Sequence, residues 1–421
     1  MKRVFILFFI MLYGLNFSQS ESGIYGDYNW VANWTNFKSK ATEYKSPTII
    51  LAGEITENRT LKRNQTYLLT GKVYVVNKAI LEIEAGTIIR GDFDSNAALI
   101  ITKGAKLIAN GEENDPIVFT SSKKENERKP GDWAGIVIMG EAPSNKFTGT
   151  LNQDLNPKYN AYGGSTISSC SGVLKYVRIE FAGSKTKNNE ALSALTLAGV
   201  GNATKIENVQ VSNSKGDAYK FCGGNIVANK LIAIKSACND FNFTEGVQAS
   251  LENSLSIRCP FVSAQGAPKV FEITNYEDFK NSDLSKPVTK VKINFSTAIR
   301  LSEKEKGYLD AVTYIDTQSM AEISNSVFSG FEKGCVFSDK IDFSKYKFGN
   351  LIFRNNILNA CDKNFVTDKL ENFDQVNDLY LKESNNIKIL ALDPVALFYS
   401  TDFKSAPDLR VKLQSNALAG K

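Results

Sequence analysis

Asp217 and Asp240 stand 23 residues apart, the distance that also separates the apolar stretches around them. Two carboxylates stacked on neighbouring strands, roughly 4.8 Å apart, would share a cation or push one carboxyl group upward. Glu245 and Arg258 fall near the same place in the repeat. Such a group is the minimum for hydrolysis of a sugar polymer by paired carboxylates, or for elimination by an Arg or Lys base beside Ca²⁺. No further carboxylates gather there, so a Ca²⁺ shell is short of ligands and no cofactor is expected. The alternative is that both aspartates end strands by accepting turn amides. The chain has no histidine, which removes imidazole-based acid/base catalysis, His-dependent triads and imidazole metal ligands together.

The elements that must position these residues repeat. Val209-Gln210-Val211-Ser212, Ile232-Ala233-Ile234-Lys235 and Leu255-Ser256-Ile257-Arg258 follow one another at steps of 23, each alternating large apolar with small or polar residues as half-buried strands do. The turns are expected to repeat as well: Ala218-Tyr219-Lys220-Phe221 is answered 22 residues on by Asp240-Phe241-Asn242-Phe243. A period of this size marks a solenoid, whose short strands bury their apolar sides only by stacking. The expected fold is an all-β, right-handed parallel β-helix in which Val209, Ile232 and Leu255 form one inward ladder and Val211, Ile234 and Ile257 a second. Trp30, Trp34 and Phe37 lie at helical spacing and read as a cap on the open end, with an exposed aromatic platform for sugar rings as the other use.

Lys2 and Arg3 precede an apolar run from Val4 to Phe17 and small residues at Ser18 and Ser20, the pattern of a secretion signal too short to span a bilayer comfortably. Residues 1–20 are therefore expected to be a signal and 21–47 an N-terminal cap. The β-helix should occupy 48–373, with insertions near 122–132, 141–171 and 276–310, and 374–421 a terminal coil and C-terminal cap. The formal charge of +5 is small for 421 residues and forms no basic stripe, which argues against nucleic acid as a partner. Six cysteines, Cys170, Cys222, Cys238, Cys259, Cys335 and Cys361, include no C-x-x-C pair. Cys238 and Cys259, two residues out of register, sit beyond ordinary disulfide reach.

Several stretches carry a resemblance: Tyr67 through Val75, Leu81 through Asp92, Pro130-Gly131-Asp132-Trp133-Ala134-Gly135-Ile136, Gly172 through Gly183, and Leu195 through Gly201 running on to Ser212. In this order they resemble a family of exported β-helix proteins of Bacteroidota. The resemblance implies a right-handed parallel β-helix at or beyond the outer membrane, and carries no activity over. Relatives often show doubled or tripled Asp where this chain has Gly216-Asp217 and Asn239-Asp240. The expectation is a secreted or surface protein that binds or scaffolds without catalysis, its partner a polysaccharide or an outer-membrane protein. The alternative is a lyase or hydrolase acting on polysaccharide through carboxylates and Arg/Lys. Candidate site residues are Asp217, Asp240, Glu245, Arg258, Trp30 and Trp34.

Overall fold

The computed structural model describes residues 22–24, 28–151, 154–187, 191–259, 267–301, 311–343, 350–369 and 373–412. The expected signal, residues 1–20, lies outside them. The chain winds as a right-handed parallel β-helix whose rungs pair in parallel from Ile49–Leu51 to Lys388–Leu390. Each full coil has three legs. One middle coil contains Asn225–Ile234, which bends into two legs, and Phe241–Thr244, the third.

The bend between first and second legs needs a left-handed residue, and asparagine tolerates that conformation better than other side chains with a Cβ. Asn208, Asn253, Asn325, Asn355 and Asn386 hold it at φ 48 to 54°. Their side chains then bond from coil to coil: Asn355 Nδ2 donates to Asn325 Oδ1 at 3.1 Å, and Asn386 Nδ2 to Asn355 Oδ1 at 3.0 Å. Stacked amides thus satisfy one another along the corner of the last coils, while Tyr176, Lys230 and Phe295 hold it in earlier ones. Inside, the third legs stack aromatic rings, Tyr219 on Phe241 at 5.1 Å and Phe221 on Phe243 at 4.6 Å. At the far end the helix Phe373–Tyr380 lays Tyr380 on Phe365 and Phe337, closing the core.

The register corrects both expected ladders. Val209 pairs with Leu231, and Val211 with Ala233, so this step is 22 residues, while Ile232 with Leu255 keeps the step of 23. A shift of one residue turns every side chain to the other face. Leu231 and Ala233 therefore point inward with Val209 and Val211. Ile232, Ile234, Leu255 and Ile257 point outward, joined by Ile299, Val327 and Ile357 from later coils.

What buries this outward row is the chain before the first coil. Ser22 Oγ bonds Asn355 O, Gly23 N bonds Asn325 O, and Ile24 N bonds Thr297 Oγ1. Asn36 exchanges hydrogen bonds with Gln210, and the Tyr44 hydroxyl reaches the buried Glu180 carboxylate at 3.0 Å. The segment thus runs as a strap along the solenoid, from its last coils back to where coiling begins. The buried guanidiniums of Arg90 and Arg128 bind the strap's carbonyls at Ser39, Thr42, Tyr44 and Lys45. Leu397, Phe398 and Leu409 from the C-terminal segment cover the rest of the row. The 276–310 region is also shorter as an insertion than expected. Lys290–Asn294 and Thr297–Arg300 are regular legs, with Val291 and Ile293 inward and Lys290 and Lys292 exposed.

Candidate functional site

The aspartates do not stack on each other. Asp217 falls opposite Asn239, and Asp240 opposite Ala218, because the third legs pair Tyr219 with Phe241 at a step of 22. Asp240 turns into the body of the coil, where Arg258 Nη1 meets it at 2.8 Å and Ser256 Oγ donates to it. Both partners are buried. Burial raises the Asp240 carboxyl, and Arg258 opposes the rise. A pair sealed in this way ties two coils at a corner and is out of reach of a ligand. Trp30 and Trp34 are likewise neither end cap nor platform: they form a turn within the strap, 5% and 1% exposed, packed on the outward row of the second legs.

Asp217 and Glu245 instead border another surface, the outward side of the third legs. Alternation along the strand presents every second residue there, and the register aligns Thr196, Lys220, Asn242, Glu272 and Tyr314 in one row. From Lys220 to Tyr314 the row is only partly covered. Asp217 lies along its edge, accepting the Asn239 amide at 2.9 Å and Asn242 Nδ2 at 3.0 Å. Asn239 Nδ2 donates in turn to Glu272. Burial raises both the Asp217 and Glu272 carboxyls, and the charge of Asp217 raises Glu272 further. Lys220 Nζ pairs with Glu277 at 2.5 Å. Burial works against the Glu277 carboxylate, but Lys220 holds it down at about 2.

The upper rim is built by two loops that cross. Lys146 and Ser282 form an antiparallel bridge, Phe147 N bonds Asn281 O, and Asn281 Nδ2 bonds Thr148 Oγ1. This junction leaves Phe147, Phe279 and Leu284 exposed. Beneath it the buried Glu245 carboxylate, raised by burial against the opposing charge of Lys146, takes Lys146 Nζ at 3.0 Å and the Tyr162 hydroxyl. Glu245 thereby pins the 141–171 excursion to the coils.

Of the residues singled out in the sequence, Asp217 and Glu245 border this surface, whereas Lys220, Asn242, Glu272, Glu277, Lys146 and Tyr162 were not singled out. The 22-residue match of Lys220 with Asn242 was a usable signal, since both are polar in an otherwise aromatic leg. Lys146, Tyr162 and Glu277 come from loops without a period. Among the described residues no group of three or more Asp, Glu or Cys side chains is placed to hold a metal ion, and the spaces beside Asp217 and Glu272 are taken by amide donors. The six cysteines are all free thiols.

Residues 53–389 match the family model described as "Pectate-lyase like beta helix domain", from the first coil to the last rung. The chain belongs to the pectate-lyase like beta helix domain family. Comparison with curated proteins finds no match. Among solved structures the chain is similar to a pectin methylesterase in complex with hexasaccharide VII, at 11% identity and a TM-score of 0.30, covering 74% of this chain and 89% of that one. A mutant of pectin methylesterase in complex with hexasaccharide IV matches at 10% identity and a TM-score of 0.28, with the same coverage. In this pectate-lyase like beta helix the partly covered row, its bordering carboxylates and the crossed loops all lie within the matched residues.

Proposed function

We propose that the protein is an exported, non-catalytic β-helix, secreted or held at the cell surface, that binds a polysaccharide along the row from Lys220 to Tyr314. The row itself carries this reading. Four coils in succession present an ammonium, an amide, a carboxylate and a phenol, spaced by the rung distance of roughly 4.8 Å and flanked by exposed Phe147 and Phe279. A pyranose ring is about one rung long, so a linear glycan lying along the solenoid axis meets one such group per sugar. Export is supported by the basic and apolar start of the chain. No helix among the described residues is long and apolar enough to cross a membrane.

The way the carboxylates are held supports binding without catalysis. Asp240 is buried against Arg258 and Glu245 against Lys146 and Tyr162, while the exposed Glu277 is held by Lys220. Asp217 and Glu272 share Asn239 as donor on one side of the row, whereas glycoside hydrolysis needs carboxyl groups on opposite faces of the sugar. Affinity electrophoresis of the mature protein through gels containing soluble polysaccharides, with a parallel assay for reducing or unsaturated ends, tests the proposal. The expected result is retardation without products, abolished in a Lys220→Ala, Glu272→Gln variant that keeps its melting temperature. Product release lost in that variant would replace binding with catalysis. Retardation by none of the polysaccharides would overturn the glycan reading and turn attention to an outer-membrane protein.

A further inference from the structure

We infer that the ligand of this row is an uncharged glycan, and that a polyuronate is rejected there; the inference rests on the glycan-binding reading above. Lys220 and Lys146 are matched internally, by Glu277 at 2.5 Å and by Glu245 at 3.0 Å, and Lys269, over the Tyr314 ring, donates to the Ala267 carbonyl. The remaining carboxylates, Asp217 and Glu272, are met at hydrogen-bond distance by the amides of Asn239 and Asn242. An amide satisfies lone pairs without cancelling charge. The surface a sugar meets is therefore a carboxylate and amide comb, in which each carboxylate oxygen with a spare lone pair accepts from a hydroxyl and each amide serves as donor or acceptor.

Uronate carboxylates laid along this comb would bring like charges opposite Asp217 and Glu272, and juxtaposed like charges are an effective means of rejecting a partner. Nor does a divalent ion resolve the conflict, since the described residues offer it no cluster of ligands.

The test uses matched polymers that differ in charge and share a backbone: polygalacturonate and its methyl ester, oxidised and native cello-oligosaccharides, alginate and mannan. Binding of the mature protein is measured at low salt with chelator. For any backbone that binds, the uncharged form is expected to bind about tenfold tighter or more, with the ratio shrinking as salt screens the repulsion. The Asp217→Asn, Glu272→Gln variant should bring the ratio close to one. Glu272→Gln alone, which leaves the Asp217 bond to the Asn239 main chain intact, serves if the double variant misfolds and should lower the ratio part of the way. A uronate that binds as tightly as its uncharged partner overturns this inference and leaves the glycan reading standing. If no backbone binds in either form, the glycan reading fails and the inference falls with it.

Discussion

Two outward faces of one solenoid have met opposite fates. The second legs present Ile232, Ile234, Leu255, Ile257, Ile299, Val327 and Ile357, and the molecule seals them under Trp30, Trp34 and the C-terminal segment. The third legs present Lys220, Asn242, Glu272 and Tyr314, and two loops border them without closing over. The backbone is the same on both sides. A β-helix thus assigns function face by face through the residues at alternate strand positions, and an apolar row demands a cover that a polar row does without.

Replacing a residue of the cover should hurt most. Trp34→Ala removes a fully buried indole that also meets Tyr176 edge-on at 5.9 Å, and a loss of about 3 to 5 kcal/mol is expected, read as a large fall in melting temperature and as dye binding to the bared row. Unchanged stability would mean that the strap is decoration and the contrast between the faces false. A smaller effect is expected where loop meets open face. Tyr162→Phe deletes the hydroxyl that Glu245 accepts and should cost about 1.5 to 3 kcal/mol, with proteolysis near 141–171 becoming faster while the strap stays protected.

The smallest effect is the pH dependence of the open face. Burial sets the Asp217, Glu245 and Glu272 carboxyls above their ordinary values. The stability they contribute is complete below those ordinary values and is lost as pH rises through the raised ones. Glu277, held at about 2, works in the other sense: its contribution is present above the ordinary range and is lost as pH falls toward 2. Melting temperature is therefore expected to be higher in mildly acidic buffer than at pH 8, and to drop again in strong acid. Glu272→Gln should flatten the alkaline side. A curve that rises steadily from pH 5 to 8 would contradict the burial assigned to this face.

Much of the architecture was legible because a strand of period two, repeated every 22 to 25 residues, has few ways to bury itself. The match of Tyr219 with Phe241 has the right step of 22, but its residues form a strand where a turn was expected. The second-leg ladder was misread at one step, for a physical reason: in Leu231-Ile232-Ala233-Ile234 both faces are buried, so alternation no longer marks the inside, and the bulkier isoleucines drew the alignment outward. The same slip stacked Asp217 over Asp240. Trp30 and Trp34 signalled burial, yet nothing in their spacing says whether an end or a flank receives them. The charges of the site come half from the repeat and half from loops, and only the first half has a period to read.

The strap has a consequence for how the chain becomes complete. A stack of coils grows by neighbour contacts, and a partial stack is nearly as well formed, coil for coil, as a whole one. The strap breaks that independence, since its partners lie up to 333 and 378 residues away in sequence, at Ser22 with Asn355 and Asn29 with Pro407. It cannot seat until the last coils exist, and the first coils cannot shed it without releasing the last. A chain stopped short of residue 355 would display its isoleucine row to solvent, and only the finished molecule hides it. The segment ahead of the first coil thus doubles as the check that the last coils have formed.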